Sequence, residues 1–180
     1  MDPEISQKPK KSSLDTAANI AIIVVCAIAA VVLIRNQFFP PRPGPPPGSP
    51  AMVKEGDRFD EIKAALPAGT NRALVVAVSP TCHFCNESMS FYKQLLDERN
   101  QKSSPVKFIA AVPTDAAKAE EAQKFATAGA PPDSLVHLDF NTIKVPGTPT
   151  LMLVDNNGKV LNVWVGKLDE GGEKEVLKVL

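Results

Sequence analysis

The sequence predicts an α/β fold with a mixed β-sheet and helices on both faces, preceded by one transmembrane helix. Three observations predict it. Apolar residues fill 17–34 almost without interruption, prolines crowd residues 40–50, and the remaining chain alternates strand-like and helix-like segments before a β-hairpin and a final helix. The chain therefore divides into a short tail (1–16), a transmembrane helix (17–34), a proline-rich linker (35–52) and an α/β domain (53–180).

The predicted transmembrane helix has Asn19 as its only polar side chain. At about 1.5 Å per residue, a helix over residues 17–34 reaches roughly 27 Å, close to the hydrocarbon thickness of a bilayer. A cleaved signal peptide is the main alternative. Its apolar region is usually shorter and ends at a small-x-small site, whereas Arg35 follows here without one. We therefore expect a retained membrane anchor, in which Cys26 is only a small apolar residue.

The charges flanking the anchor predict its orientation. Lys8, Lys10 and Lys11 precede the apolar run, and Arg35 and Arg42 follow it closely. By the positive-inside rule, this small excess favours a cytoplasmic N-terminus. We expect a single-pass membrane protein whose C-terminal domain lies outside the cytoplasm, on the periplasmic side in a bacterium.

The linker is dominated by proline. Seven of the 17 prolines fall within residues 40–50, and proline excludes both helix and central strand because it lacks the backbone donor and fixes φ. Such a run favours extended polyproline II, a spacer of roughly 34 Å. A docking site for a proline-recognising partner is the alternative. Because the run follows the membrane anchor directly, the spacer is the favoured interpretation.

The C-terminal domain shows the alternation on which the fold prediction depends. The segment RALVVAVS is apolar on both sides, as in a buried central strand. Asn156-Asn157-Gly158 separates TLMLVD from KVLNVWV and is a strong hairpin signal. Strands alternating with helices indicate a sheet covered on both faces. In order, we predict a helix near 56–66, a strand at 72–79, a helix at 83–100, a strand at 105–112, a helix at 115–128, a strand at 135–139, the hairpin strands 150–155 and 159–165, and a helix at 169–180.

Two cysteines, Cys82 and Cys85, lie where the first predicted strand ends and a helix begins. The first turn of a helix presents unpaired N–H groups and the positive end of the helix dipole, which stabilise a thiolate. We therefore predict that Cys82 attacks with a lowered pKa and that Cys85 resolves the mixed disulfide. Half of a zinc site and an inert structural disulfide are the alternatives. With no second CxxC and only His83 and His137 as histidines, we predict no metal ion and no cofactor.

The cysteine motif and a later loop together resemble the thioredoxin-like superfamily. That family pairs its CxxC with a cis-proline loop of the form Gly-x-Pro-Thr, and the resemblance covers about residues 53–180. The apolar anchor followed by such a domain is similar to the membrane-anchored thiol–disulfide reductases that serve cytochrome c maturation. Beyond the segment LVVAVSPTCHFC, the matching residues are Gly147, Thr148, Pro149, Thr150 and, after the hairpin, Gly166.

This resemblance implies a thioredoxin-like fold and an oxidoreductase function. The chain would exchange disulfides with protein clients, with reduction favoured over oxidation, and would use a further, unidentified redox partner. Pro149 would be cis and would lie against the cysteines. Thr148, just before it, would present backbone groups that pair with an extended client strand.

The sequence departs from the family at two places. Many thioredoxins carry a buried acid six residues before the first cysteine, where this chain has Val76, so the acid is missing or supplied from elsewhere. His83 and Phe84 replace the usual Gly-Pro between the cysteines. A protonated His83 would lower the pKa of Cys82 and make the pair more oxidising. Alternatively, His83 is a partly exposed loop residue.

Other function classes remain open. A thioredoxin-like binding or metal-delivery module without turnover is the first alternative, although such relatives tend to use wider cysteine spacing and a distant histidine. A peroxidase would need a threonine and an arginine around its cysteine, and only Thr81 adjoins Cys82. The balanced charge, 20 basic against 20 acidic residues, argues against nucleic-acid binding. We expect structural roles for Met89, Phe91, His137 and Trp164.

Overall fold

The computed structural model describes residues 22–27, 29–30 and 52–180. The two short stretches are helical. Across these three ranges, no helix is both long enough and apolar enough to span a membrane. The predicted tail, most of the predicted anchor and nearly all of the linker lie outside the described residues, so those assignments stay predictions. By its internal contacts the chain divides into two compact units, Met1–Ser49 and Pro50–Leu180.

The second unit alternates strands and helices in the predicted order. Strand bounds agree with the prediction to within about two residues, as expected for sequence-based boundaries. In chain order the elements are α1 (Asp60–Ala65), β1 (Arg72–Ala77), α2 (His83–Glu87), α3 (Met89–Gln101), β2 (Lys107–Val112), α4 (Ala117–Thr127), β3 (Ser134–His137), β4 (Thr150–Asp155), β5 (Val160–Val165) and α5 (Glu170–Leu177).

The five strands form one mixed sheet in the order β3-β2-β1-β4-β5. Strands β1, β2 and β3 run parallel to one another, whereas β4 is antiparallel to both β1 and β5. The parallel pairs are joined through helices and the antiparallel pair β4–β5 through a tight turn, as these two kinds of pairing require. The predicted mixed sheet is confirmed.

Helices cover both faces of the sheet, as predicted. Along β1, Leu74 and Val76 point into a core formed with α3, α4 and α5, whereas Ala73 and Val75 point into a second core formed with α1. This alternation follows from the period of two along a strand. Because β1 is buried on both faces, the cysteine segment that follows it starts from a strand that is held by packing from two sides.

The β4–β5 hairpin turns at the predicted residues. Asp155 Oδ1 accepts the N–H groups of Asn157 at 2.8 Å and Lys159 at 3.0 Å. Gly158 has a φ of +70°, and a Cβ at this position would collide with the backbone carbonyl of Phe59. The turn therefore needs glycine for both its backbone conformation and its space.

One predicted helix is two. The sequence predicts a single helix over 83–100, but α2 ends at Glu87 and α3 begins at Met89. The hydroxyl of Ser88 donates to Phe84 O at 2.8 Å, and its N–H lies 3.1 Å from Phe84 O and 3.2 Å from Cys85 O. A serine that bonds back to the preceding turn in this way bends a helix. The short α2 is consequently a separate unit that carries the cysteines.

Candidate active site

The cysteine segment and the proline loop meet at one end of the sheet. Cys82 lies five residues beyond the end of β1, and Pro149 immediately precedes β4. Ala77, the last residue of β1, pairs with Thr150, the first residue of β4. Because β1 and β4 are antiparallel, the end of one strand lies beside the start of the other. The fold thus brings together the two segments that the sequence identified separately.

Cys82 and Cys85 form a disulfide across the first turn of α2, with their Cα atoms 5.2 Å apart. Cys82 is the N-cap of the helix and is half-buried, whereas Cys85 is buried. The N–H of Cys85 donates to Cys82 Sγ at 3.1 Å. In the reduced state a donor in this position favours the thiolate of Cys82. The environments of the two sulfur atoms therefore differ in the direction that the predicted roles require.

The loop before β4 is fixed by hydrogen bonds at both of its ends. The Thr148–Pro149 peptide bond is cis, as expected, and Pro149 is buried. The buried hydroxyl of Thr150 donates to Gly147 O at 2.7 Å. The N–H of Gly166, just after β5, donates to Pro149 O, also at 2.7 Å. These two hydrogen bonds hold the loop at the end of the sheet that carries the cysteines.

Groups suited to binding a polypeptide surround this end of the sheet. Phe84 and Val165 are apolar side chains that are each 54% exposed. Val165 is the β5 residue that pairs with Thr150, which places it next to the proline loop. The backbone N–H and C=O of Thr148 have no hydrogen-bond partner among residues 52–180. An extended peptide segment could use these groups and bury this apolar surface.

A first charged cluster, the surface network, consists of His83, Glu87 and Lys167. Glu87 Oε1 lies 2.9 Å from His83 Nε2, and Glu87 Oε2 lies 2.7 Å from Lys167 Nζ. The hydrogen bond from Lys167 and, to a smaller extent, the charges of Lys167 and His83 lower the pKa of Glu87. His83 is thus an exposed residue in the first turn of α2 whose imidazole is paired with a carboxylate.

A second charged cluster, the inner network, consists of Glu120, Glu121 and Lys124 on α4 together with the carbonyl of Pro80. Lys124 Nζ lies 2.6 Å from Pro80 O, 3.0 Å from Glu120 Oε1 and 3.2 Å from Glu121 Oε1. Glu121 is fully buried. Sequence reasoning missed this cluster because a helix rich in Ala, Glu and Lys has the composition of a solvent-exposed helix. The available signal was the glutamate and lysine spacing of three and four residues.

Four other residues that the sequence analysis discussed are buried in the core of the domain. Val76 is buried in the core that contains Cys85. Met89 and Phe91 are buried on α3, and Trp164 is buried on β5 with its Nε1 donating to Glu175 Oε2 at 3.3 Å. Met89, Phe91 and Trp164 therefore pack in the core, as expected.

His137 and Cys26 are the histidine and the cysteine of the chain that lie outside the CxxC segment. His137 is the last residue of β3, and its Nδ1 lies 3.5 Å from Asp115 Oδ2. Cys26, within the helical stretch 22–27, is a free and exposed thiol. In the part of the chain that the structure describes, no three His, Cys, Asp or Glu side chains converge into a group that could hold a metal ion.

The sequence matches a known protein family over most of the domain. Residues 59–178 match the family described as thioredoxin-like domain. No curated protein matches the chain. The matched range includes Cys82 and Cys85, the proline loop, strands β1 to β5 and helices α1 to α5.

Solved structures resemble the fold at low sequence identity. A structure assigned to the thiol:disulfide interchange protein DsbE of Chlorobium tepidum is 19% identical and has a TM-score of 0.51, with 70% of this chain and 94% of that one covered. StoA from Bacillus subtilis is 16% identical, with coverages of 72% and 98% and a TM-score of 0.48. A secreted disulfide oxidoreductase of Mycobacterium tuberculosis is 15% identical, with coverages of 65% and 86% and a TM-score of 0.46. The Chlorobium structure supports the fold alone.

Proposed function

The chain belongs to the family of thioredoxin-like domains, and from this premise we propose that it is a thiol–disulfide oxidoreductase acting on protein clients through Cys82 and Cys85. One observation carries the proposal. The Cys82–Cys85 disulfide caps α2 with one half-exposed and one buried sulfur atom, and Cys85 N–H donates to Cys82 Sγ at 3.1 Å. A purely structural disulfide needs neither this asymmetry nor a donor aimed at one sulfur.

We propose that the pair reduces clients in two exchange steps. The Cys82 thiolate attacks one sulfur of a client disulfide, so that a mixed disulfide forms and a client thiolate leaves and takes up a proton. Cys85 then loses its proton and attacks Cys82 Sγ, which releases the second client thiolate. The client disulfide gains two electrons and two protons, and Cys82–Cys85 becomes the oxidised pair. A separate reductant of the dithiol class must then return the pair to its thiol form.

The client would bind as an extended strand against the proline loop. The free backbone groups of Thr148 can pair with such a strand, and Phe84 and Val165, each 54% exposed, can cover its side chains. These two residues lie on different elements, α2 and β5. A client strand that pairs with Thr148 would bring its disulfide towards Cys82, since the loop and the cysteine segment lie at the same end of the sheet.

The charges around the pair favour reduction over oxidation. A protonated His83 would stabilise the reduced pair and make the disulfide a stronger oxidant. Glu87 lies 2.9 Å from His83 Nε2 and 2.7 Å from Lys167 Nζ, so a charge on His83 would belong to an exposed network that water and salt screen. We therefore expect a small influence of His83 on Cys82, whose thiolate depends mainly on the helix terminus and the Cys85 N–H.

The reduction potential of the purified protein tests this direction. In equilibrium with glutathione we expect a potential at or below roughly −200 mV, the range of glutaredoxin and thioredoxin. A potential near about −120 mV, as in a strong oxidant, would show that the pair donates disulfides to its clients. Mass spectrometry after alkylation reports the oxidised fraction of the protein at each ratio of reduced to oxidised glutathione.

We further propose that residues 17–34 tether the domain to a membrane and that residues 35–52 form a spacer. Support comes from sequence and from exposure. Ile22, Ile23, Val24 and Val25 are helical, and each is between 50% and 66% exposed. Contiguous exposed apolar side chains of this kind require lipid or another apolar surface to cover them. Recovery of the intact chain in carbonate-washed membranes is expected, whereas a soluble chain beginning after residue 34 would contradict the tether.

The domain after the spacer is proposed to lie outside the cytoplasm. A membrane-impermeant maleimide applied to intact cells after mild reduction should label Cys82. The same reagent should fail to label a cysteine introduced in place of Ser6, because the N-terminal tail is then cytoplasmic. Labelling of residue 6 but not of Cys82 would mean that the orientation is inverted.

A further inference from the structure

Glu121 is the most unusual charged residue in the domain. It has no exposed surface, and its Oε2 has no hydrogen-bond partner among residues 52–180. Acidic side chains are almost never fully buried unless they are paired, and leaving one oxygen without a donor lowers stability. An apolar residue of similar size would suit this position on α4 better for stability alone. The carboxylate therefore calls for an explanation other than packing.

The partner of Glu121 is the ammonium group of Lys124, whose donors are fully used. A lysine ammonium has three N–H donors, and three oxygen atoms lie within hydrogen-bond distance of it. Two belong to carboxylates one turn or less away, Glu121 at 3.2 Å and Glu120 at 3.0 Å, and the third is Pro80 O at 2.6 Å. The two glutamates hold the ammonium in place and leave it one donor for a more distant group.

The third acceptor, Pro80 O, belongs to the segment that presents the attacking cysteine. Pro80 lies two residues before Cys82 and 44 residues before Lys124. Within the same segment, Cys82 N–H donates to Ser79 O at 2.9 Å. The chain between β1 and α2 is therefore fixed by one bond within the segment, by the bond from Val78 N–H to Ala111 O in β2 at 2.9 Å, and by one bond from α4.

Glu121 also lies close to aromatic residues of the core that contains Cys85. Burial, with a smaller contribution from the charge of Glu121, raises the pKa of Tyr92 on α3. Tyr92 packs against Phe125, one turn beyond Glu121, with ring centroids 5.9 Å apart. Both rings belong to the core that contains Cys85. The carboxylate thus lies on the side of α4 that faces the core containing Cys85.

We propose that Glu121 and Lys124 are positioning residues for thiol–disulfide exchange: they hold the Pro80 carbonyl and so fix Cys82 at the first turn of α2. This inference rests on the proposed function. The pair stands in a different element from Val76, where the sequence lacks a buried acid, and it acts on the backbone that carries the attacking sulfur. Burial of the Glu121–Lys124 pair lowers stability. In return, Cys82 Sγ is held where it accepts the hydrogen bond from the Cys85 N–H.

The test replaces both charges together, because removing Lys124 alone would leave Glu121 buried without a cation. In the full-length protein, the double substitution Glu121→Leu and Lys124→Met removes the hydrogen bond from Lys124 to Pro80 O without leaving a buried charge. Lys118→Met is the matched control, since Lys118 lies on the same helix and pairs with exposed Asp115 at 2.7 Å. Each variant is assayed for reduction of a peptide disulfide, for the pH profile of Cys82 alkylation and for its unfolding midpoint.

The double variant should exchange about fivefold more slowly or worse, because small displacements of a reacting group cost large factors in rate. The midpoint of its alkylation profile should rise by about half a pH unit, because a loosened Cys82 loses part of its hydrogen bond. Its unfolding midpoint should be unchanged or higher, since apolar replacement of a buried ion pair is often neutral or stabilising. The single variant Lys124→Arg keeps a cation beside Glu121, and it should retain most of the exchange rate of the unmodified protein.

Three results would overturn the positioning role. One is a double variant with the rate and the pH profile of the unmodified protein. Another is a slowed variant whose unfolding midpoint has fallen, since the pair would then act through stability alone. The third is an equal loss of rate in Lys118→Met. If the unmodified protein and Lys118→Met both fail to exchange disulfides, the proposed function itself is wrong, and this outcome differs from all three.

Discussion

The two charged networks beside the disulfide differ in how far solvent reaches them. In the surface network, the side chains of His83 and Glu87 are 78% and 36% exposed. In the inner network, those of Lys124 and Glu121 are 25% and 1% exposed. Ion pairs in water contribute about 0–1 kcal/mol because both partners stay hydrated. A buried charge, by contrast, depends on its partner. The ion pairs of the two networks have similar lengths, but those of the inner network therefore matter more for stability.

This difference assigns separate tasks to the two sides of the site. The inner network holds the backbone before Cys82 through Pro80 O at 2.6 Å. The surface network joins α2 to the loop after β5 through Glu87 and Lys167, where salt and water weaken it. We therefore expect substitutions in the inner network to slow exchange, and those that leave Glu121 without its cation to lower stability as well. Substitutions in the surface network should change the pKa of the neighbouring carboxylate and have little effect on stability or on exchange.

Lys124→Met alone should have the largest effect on stability. It leaves the Glu121 carboxylate buried without a cation, and we expect a loss of about 2 kcal/mol or more in the free energy of unfolding. Urea denaturation followed by circular dichroism measures it. Lys118→Met serves as the control and should lose less than about 0.5 kcal/mol. Equal losses in the two variants would mean that the inner network contributes no more to stability than an exposed ion pair.

Thr150→Val should have an intermediate effect, because it removes a buried but uncharged hydrogen bond. The hydroxyl of Thr150 donates to Gly147 O at 2.7 Å and is replaced by a methyl group of similar size. A carbonyl left without its donor costs about 1 kcal/mol, and the loop before β4 should loosen. Thr142→Val is a suitable control, since the Thr142 hydroxyl donates to Asp139 Oδ2 at 2.9 Å on an exposed surface. Matching unfolding midpoints for the two valine variants would contradict this ranking.

Glu87→Gln should have the smallest effect on stability, since an ion pair in water contributes little. The carboxylate and both of its partners are solvated, so its loss leaves no buried group unpaired. Exchange with a peptide disulfide should change by less than about twofold, since the replaced charge is screened by water and salt. A change in rate as large as that of the inner-network double variant would mean that the surface network also positions Cys82.

The pH dependence of the surface network has a defined sign. Because Lys167 lowers the pKa of Glu87, any stability from this carboxylate is present above its unfolded pKa and is lost as the pH falls through the lower folded value. Lys167→Met should therefore raise the pKa of Glu87 towards its ordinary value, which carboxyl-detected NMR can follow. Lys174→Met, which removes an exposed lysine on α5, should leave the Glu87 titration unchanged. An unchanged titration in Lys167→Met would show that the contact does not persist in solution.

Much of the fold could be predicted because its signals are local. The apolar run of β1 and the Asn156-Asn157-Gly158 turn identify their elements within a few residues, and each is confirmed. The break at Ser88 could not be predicted from the amphipathic pattern, since α2 and α3 present a continuous helical period. It depends on where one hydroxyl bonds, at Phe84 O. A serine in the middle of a helix was the only warning in the sequence.

The candidate site divides in the same way. Cys82, Cys85 and the Gly147–Thr150 loop stand out as short patterns, and the pairing of β1 with β4 brings them to one end of the sheet. The two networks depend on contacts between distant residues. Lys124 reaches Pro80 across 44 positions, and Lys167 reaches Glu87 across 80. No local period encodes such contacts, so the burial of Glu121 becomes evident only from the folded chain.

Trapping of mixed disulfides tests the central claim most directly. In the full-length protein, Cys85→Ser removes the resolving thiol and should accumulate Cys82-linked clients, visible as reducible high-mass species on gels. Cys82→Ser should trap none, because buried Cys85 cannot reach a client disulfide. Equal trapping by the two variants, or by neither of them in cells that contain disulfide-bonded clients, would contradict the proposal that Cys82 attacks and Cys85 resolves.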